Sequence, residues 1–505
     1  MTVDLEQQIR DYASHVTELS TPVDVVALTL DARAEARRLP RYRRLEARWA
    51  AGLVAAVAIL ALIGGLALGY RLLAADEPPV ITEPAPTPST SLPAPTTSLP
   101  SPTTLVGPAA APSMTWERVP PQVSLGAGDD DHEYLLQTVI NGGPGLIAGG
   151  GVQATSSTVY YTGIPEPGDQ AAVWTSEDGV VWERIPTEDS GLAGPGGYVI
   201  LDLVVGGPGY VAVGGAMEDG HLRPAVWVSE DALGWTRVNS DSFDNNELTS
   251  VAASDEGVVA VGDGDIWFSP DGWAWQRVVS PPNAYFSGVD HADLGFVAVG
   301  YVEKPNEVVD GALAEAFRAV VAISQDGVNW VGVDLPEGDD SWFGARASSI
   351  VADGDEVVVA GSYRTKPGTY FDMHPAFWTS NDGSTWDRYG VPRVSIRGLG
   401  RPSAFVSSLV NTRSGVVAVG GWFQYGTGPP TSFNPPKTRA AVWTSSEPGG
   451  PWGEIPSTES LEIEMIERNI ATTVGISGVA VIGDVLVGVS TDAGEAVVWI
   501  GEWTD

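Results

Sequence analysis

Beyond residue 113 the chain runs as short apolar segments, rich in Val and Ala, cut by Gly, Asp or Pro. Examples are 203–205 followed by 210–214, and 406–410 followed by 415–420. Each pair of runs predicts two short strands, and each pair is followed by a hairpin marked by tryptophan. The hairpins occupy 172–182, 226–235, 266–275, 321–330, 377–386 and 442–452, and a seventh begins at 498 and runs to the end of the chain. Each unit therefore reads as four short strands. The units recur at roughly 40 to 65 residues, the size of a propeller blade with loops of variable length. The seventh unit lacks its fourth strand. The missing piece stands at the front, where Met-Thr-Trp-Glu-Arg-Val at 114–119 matches Val-Trp-Glu-Arg-Ile at 181–185. This offset predicts an all-β, seven-bladed β-propeller in which the N-terminal strand completes the last blade, so that the ring has no open edge.

Within the hairpins, Ser176, Asp178, Gly179 and Trp182 recur as Ser269, Asp271, Gly272 and Trp275. They recur again as Ser324, Asp326, Gly327 and Trp330, and as Ser380, Asp382, Gly383 and Trp386. The carboxylate suits a turn in which Asp accepts its own backbone N–H groups, Gly supplies a positive φ, and Trp folds back as an apolar plug. This pattern resembles the Asp-box, or BNR, repeat of sialidase-type propellers, Ser-x-Asp-x-Gly-x-x-Trp, although five of the units are one residue shorter. The sixth, Ser445, Glu447, Gly449 and Trp452, has the full spacing with Glu in place of Asp. The resemblance covers 114–505. It implies a propeller whose Asp turns are structural and lie away from the functional face.

The same resemblance implies a place to look for catalysis, an early Arg-Ile-Pro motif. Arg118-Val-Pro120 is the candidate. Arg184, Arg237, Arg277 and Arg388 occupy the equivalent place in other blades, so the position serves the blade. No catalytic residue is assigned.

The long insertions, 152–170, 303–317, 364–374 and 423–440, fall between second and third strands. Those loops and the interblade loops emerge on one face of a propeller, opposite the Asp turns. Function in such folds concentrates on the loop face. The candidate ligand-face residues there are Asp129, Asp130, Asp131, His132, Tyr160 and Tyr161, then Asp339, Asp340, Trp342, Tyr370, His374 and Tyr425. Arg346, Arg397, Arg401 and Arg439 are the basic exceptions, expected not to converge in one pocket. Asp129–131, or Asp241 with Asp244, could offer oxygens to Ca²⁺ but lack the spacing of a calcium loop. No cofactor or metal is expected.

The first 113 residues follow other rules. Leu5, Ile9, Tyr12, Val16 and Leu19 form one helical stripe, and Thr21-Pro22 opens a second helix. Residues 49–70 are 22 uncharged, mostly aliphatic positions, about 33 Å of helix, enough to span a bilayer. Arginines at 33, 37, 38, 41, 43, 44 and 48 precede this run, and Arg71 alone follows closely, which puts the N-terminus in the cytoplasm. Between 76 and 113 stand 11 Pro and 12 Ser or Thr, an extended stalk. The expected organisation is a cytoplasmic helical segment at 1–48, a transmembrane helix at 49–70, a stalk at 71–113 and the propeller at 114–505.

Composition narrows function further. The chain has 505 residues, no Cys, five His and a net charge of −37. Disulfides and thiolate zinc sites are excluded, and a polyanionic partner such as nucleic acid is opposed. The propeller region alone carries 53 acids against 18 bases, a net charge of −35. The leading expectation is a single-pass plasma-membrane protein that displays an extracellular, non-enzymatic propeller. Its partner would be an extracellular protein or an envelope glycan, with a neutral or cationic ligand preferred. One alternative is a sialidase-like surface glycoside hydrolase. Another is a transmembrane sensor, because the layout is similar to that of membrane-bound anti-sigma factors, with residues 1–48 engaging a cytoplasmic protein. The His-x-x-x-Cys-x-x-Cys motif of many such factors is missing.

Overall fold

The computed structural model describes residues 113–504 apart from 126–131, 155–164, 167, 188–189, 195, 240–242, 244–245, 305–306, 310–311, 315–316, 339–343, 365–372, 392–402, 425–436, 457–460, 464–474 and 493–494. The segments expected to be cytoplasmic, membrane-spanning and stalk lie outside the described residues. Among the described residues no helix is long and apolar enough to cross a membrane.

The described chain is an all-β propeller of seven antiparallel blades of four strands each, the sixth with an extra short strand, Glu462–Ile463, paired to Lys437–Ser445. In blade 1 the strands run from the inside outward as His132–Gly142, Gly145–Ala154, Gln170–Ser176 and Glu183–Arg184. Blade 2 follows with Gly197–Gly206, Gly209–Glu218, His221–Ser229 and Thr236–Val238, and blade 3 with Ser250–Ser254, Gly257–Gly262, Asp265–Ser269 and Gln276–Val278. Blade 4 comprises Ala284–Ala292, Gly295–Glu303, Phe317–Ser324 and Val331–Asp334, with a small extra hairpin, Glu307–Val309 and Ala312–Ala314, inside its insertion. Blades 5 and 6 begin at Gly344–Asp353 and Ser403–Thr412. Blade 7 has Gly478–Ile482, Val485–Asp492 and Glu495–Trp503, and its outer strand is Met114–Val119. That strand pairs antiparallel from Met114 opposite Trp503 to Val119 opposite Val498. The offset read from the sequence thus closes the ring.

Closure is also visible in the core. Seven buried apolar clusters occupy the seven blade boundaries, including the one between blades 7 and 1, where Val119, Val487 and Val498 meet Leu136 and Trp174. The largest fully buried side chains are Trp174, Trp227, Trp267, Trp378, Trp443 and Trp499, one from the third strand of each blade except blade 4. Blade 4 has Ala322 there, and Phe268, Phe286 and Phe296 fill the boundary instead. Outer-strand Arg118, Arg184, Arg237, Arg277 and Arg388 each stand opposite one of these tryptophans. This is the repeated scaffold position inferred from the sequence.

One glycine position recurs for a steric reason. Inner strands of five blades carry a bulge, between Leu136 and Thr138 in blade 1 and between Ile200 and Asp202 in blade 2, with counterparts in blades 4, 5 and 6. Opposite these bulges stand Gly150, Gly214, Gly300, Gly361 and Gly420, where a Cβ would lie 1.8–2.0 Å from an inner-strand carbonyl oxygen. The glycine within these second strands, as in Val-Ala-Val-Gly at 211–214, 297–300 and 417–420, therefore marks a close backbone approach.

The Asp turns join third and fourth strands. Asp178 Oδ1 accepts the N–H groups of Val180 and Val181 at 2.8 and 3.0 Å, and Asp271 Oδ1 those of Trp273 and Ala274 at 2.9 Å. Asp231, Asp326 and Asp382 do the same two and three residues ahead. These donors hold the carboxyls below the usual range, Asp382 at about 2. Gly179, Gly272, Gly327 and Gly383 have φ between +68 and +82°, and the indole N–H of Trp182, Trp275, Trp330 and Trp386 donates to their carbonyls at 2.8–3.0 Å. In the sixth turn Glu447 uses its backbone carbonyl as acceptor from Ser445 and Gly450, and Trp452 stacks on Phe377 at 3.7 Å. Removing one exposed cap, as in Asp271→Ala, should lower the thermal midpoint by roughly 1–3 °C and leave ligand binding on the other face unchanged. Differential scanning calorimetry beside a binding titration checks both halves.

Candidate functional site

Antiparallel alternation puts the ends of second strands and the starts of inner and third strands on the face opposite the Asp turns. Of the residues singled out from the sequence, His132, Arg346, His374 and Arg439 are described, and all stand near such strand ends. Asp129, Asp130, Asp131, Tyr160, Tyr161, Asp339, Asp340, Trp342, Tyr370, Arg397, Arg401 and Tyr425 lie outside the described residues, as do Asp241 and Asp244. Among the described residues no group of three His, Asp or Glu is placed to hold a metal ion.

An aromatic cluster on this face joins blades 4 and 5. Tyr285 of the inner strand pairs with Tyr301 of the second strand, and their rings stack at 5.2 Å with 14° between planes. Tyr301 meets Phe317 edge-on at 5.1 Å. The Arg346 guanidinium, from the inner strand of blade 5, lies 3.6 Å from the Phe317 ring centre and 4.2 Å from that of Tyr301. Arg364 approaches the same Phe317 ring at 5.6 Å. Burial pushes the Tyr301 phenol above its usual range, against the pull of the Arg346 charge, so this hydroxyl stays protonated near neutrality and remains a hydrogen-bond donor. Beside the cluster, Tyr363 and His374 pack with ring centres 5.2 Å apart. The result is a half-buried aromatic floor carrying guanidinium groups, flanked in sequence by the 304–316 and 365–372 insertions.

Arginine over an aromatic ring recurs round the face, in two blades beside a neutralising acid, and other arginines pair with acids alone. Arg237 lies 4.5 Å from the Tyr198 ring and pairs with Glu218 at 2.6 Å. Arg439 lies 4.9 Å from the Trp422 ring and pairs with Glu454, both side chains nearly buried. Arg277 pairs with Asp265, and Arg318 with Asp334 at 3.2 Å. In blade 1, Arg184 lies 5.5 Å from the Tyr134 ring, at a cleft of about 160 Å³ lined by His132, Tyr134, Val152, Gln170 and Arg184.

Two carboxylates that the sequence reading passed over stand on inner strands. Asp202 of blade 2 accepts Thr138 Oγ1 of blade 1 at 3.1 Å, Leu203 N at 2.9 Å, and Ser250 Oγ and Val251 N of blade 3 at 2.8 and 3.0 Å. Asp290 of blade 4 accepts His291 N at 2.8 Å and Ala352 N of blade 5 at 3.0 Å. Burial raises both pKa values against the pull of these donors, that of Asp290 to about 6, with the Asp202 charge adding to the effect. Each keeps some solvent-accessible surface although protein surrounds it. Their donors come from neighbouring inner strands, so they tie blades together. Every carboxylate oxygen already accepts at least one backbone or hydroxyl donor, an arrangement for a scaffold and not for proton transfer to a substrate. The sequence signal was there: Asp202 interrupts an otherwise apolar run, Val199-Ile-Leu-Asp-Leu-Val-Val205.

The fold and the loop face define the class: the described chain is a seven-bladed β-propeller. No protein-family model matches the chain, and no curated protein matches it. Among solved structures it is similar to YCF48 bound to D1 peptide, with 11% identity over 78% of this chain and 100% of that one, at a TM-score of 0.42. It is also similar to the Pan2 WD40 domain of Neurospora crassa, with 9% identity over 72% and 88% of the two chains and a TM-score of 0.39. The sialidase of Trypanosoma rangeli matches with 11% identity over 77% of this chain and 59% of that one, at a TM-score of 0.35. Likenesses at this level transfer no activity, and the propeller architecture rests on the strand order of this chain alone.

Proposed function

We propose that this protein is a single-pass, membrane-anchored propeller displayed outside the cell, which binds a neutral or cationic ligand, an envelope glycan or an extracellular protein, on its insertion face. The anchor rests on the apolar run 49–70 and its arginine-rich N-terminal flank. The extracellular placement follows from that asymmetry, and residues 1–48 would meet a cytoplasmic partner. The observation that carries the binding reading is the aromatic floor of Tyr285, Tyr301 and Phe317 with Arg346 lying on it. Flat apolar rings beside fixed hydrogen-bond donors suit sugar faces and peptide side chains alike. The net charge of −37 sets the sign of the ligand.

The test is a titration of the solubilised full chain against an array of neutral and sialylated oligosaccharides and a set of basic proteins. At least one neutral glycan or basic protein should bind, and Arg346→Ala should weaken it about tenfold, the worth of one well-placed charged donor. Thermal unfolding of the variant should stay close to that of the wild type. Preference for sialylated ligands, or binding indifferent to the variant, would count against the reading. Turnover of fluorogenic glycosides would replace it with the hydrolase alternative.

A further inference from the structure

We propose a second, separate binding site in the first blade: Arg184 and Tyr134 form a receptor for a carboxylate supplied by a ligand. The repeat provides its own control. Tyr134 stands opposite Val152, and Tyr198 opposite Ala216, so the two tyrosines hold equivalent inner-strand positions in blades 1 and 2. Arg184 faces Trp174 across the outer strand pair, and Arg237 faces Trp227, so the two arginines are also equivalent. In both blades the guanidinium lies over the tyrosine ring, at 5.5 and 4.5 Å, and the tyrosine meets the third-strand tryptophan edge-on, at 6.0 and 6.4 Å.

The blades differ in one group. In blade 2, Glu218 completes the unit: its Oε1 accepts Arg237 Nη1 at 2.6 Å and the Tyr198 hydroxyl at 3.5 Å. Glu218 lies two residues beyond Ala216, and the position two beyond Val152 is Ala154. Blade 1 has no carboxylate at that position, and Arg184 forms no ion pair among the described residues. Glu183 precedes Arg184 but alternates to the other side of the strand. A cleft of about 160 Å³ opens at this group, lined also by Gln170, His132 and the apolar Val152. A ligand carboxylate placed there takes over the acceptor role that Glu218 plays in blade 2, with Arg184 as a charged donor and Tyr134 as a neutral one.

The cleft holds a carboxylate and a few carbons, which fits a small monocarboxylate or the carboxyl terminus of a peptide. The remainder of the ligand is neutral or basic, because a net charge of −37 opposes polyanions. Tyr134 packs on Trp174 and Arg184 lies over Tyr134, so the unit is held in place before any ligand arrives. This site does not depend on the blade 4 and 5 floor.

Isothermal titration of the full chain with butyrate, with the tripeptide Lys-Ala-Leu, and with the amide of that tripeptide tests the proposal. At least one free carboxylate should bind, and the amide should bind at least tenfold more weakly than the free tripeptide if the peptide is the source. Arg184→Ala should weaken carboxylate binding about tenfold. Ala154→Glu, which rebuilds the blade 2 arrangement and keeps Arg184, should abolish it. Failure of both carboxylates to bind the wild type, equal binding of acid and amide with no butyrate binding, or undiminished affinity in Ala154→Glu would each overturn the proposal. The Arg346→Ala variant should bind these carboxylates like the wild type, which keeps failure here distinct from failure of the blade 4 and 5 site.

Discussion

Deleting residues 113–119 from the full chain should destabilise the whole ring, not one blade. This segment supplies the outer strand of blade 7 through six register pairs with residues 498–503. Met114, Trp116 and Val119 are at most 6% exposed. They divide their burial between two boundaries: Met114 and Trp116 belong to the cluster joining blades 6 and 7, and Val119 to the one joining blades 7 and 1. A Cβ at Gly488 or Gly501 would lie 3.2 or 2.9 Å from the Trp116 ring, so the indole occupies the space that these two glycines leave open. Three buried apolar side chains at about 2–3 kcal/mol each give about 6–9 kcal/mol, a large share of the 5–15 kcal/mol that typically holds a domain together. The deletion also exposes the edge of Glu495–Trp503, a template for pairing with other chains. The expected outcome is a single unfolding transition displaced far downward, or loss of soluble protein. Calorimetry that instead showed most of the unfolding enthalpy retained, with one small separate transition lost, would mean that the blades do not depend on closure.

Acidification from neutrality should first strengthen the ring and then weaken it. Asp290 is the origin of the first phase. Its pKa is raised from 3.8 to about 6 by burial, so between those values the folded state binds the proton and the unfolded state does not. Stability from this group is therefore fully present below about pH 4 and is lost as pH rises through 6. A shift of this size corresponds to at most about 3 kcal/mol. The Asp turns act in the opposite sense. Their carboxyls are held low by backbone N–H groups, Asp382 at about 2, so their contribution is present above pH 4 and is lost as pH falls toward 2. Relief of repulsion in so acidic a protein adds to the first phase, and Asp290→Asn separates the two. An Asn cannot accept both His291 N and Ala352 N, so the variant loses one bridge. Its denaturant stability should nevertheless vary less between pH 4 and 7 than that of the wild type. Parallel pH profiles for the two proteins would assign the effect elsewhere.

Much of the ring was legible in the sequence because its signals are local and repeated. Ser, Asp, Gly and Trp at fixed spacing specify a hairpin turn, and four such turns, their two variants and the seventh hairpin at 498 fix the blade count and phase. The Trp-Glu-Arg match between 116–118 and 182–184 marks the closing strand in the sequence itself. The repeat marks Arg184, Arg237 and Arg277 as blade positions, but it does not carry their differences. Whether such an Arg meets an acid depends on where the second strand ends, and Glu218 becomes its partner only through the register of three strands. The blade 4 and 5 floor was hidden for a similar reason. Tyr285, Tyr301, Phe317 and Arg346 span 62 residues and two blades, and only the fold brings them together. Nothing in the sequence sets Asp290 apart from the other 63 acids of the chain. Its role depends on an inner strand that bulges between Phe286 and Gly288.

Hydrogen–deuterium exchange across the full chain, with and without the neutral glycan or basic protein that binds most tightly, tests the central claim most directly. The predicted footprint is protection at 284–287, 299–303, 317–319, 344–347 and 361–364, with the Asp turns at 176–182, 269–275, 324–330 and 380–386 unchanged. Protection confined to those turns would place the binding surface on the opposite face and contradict the account.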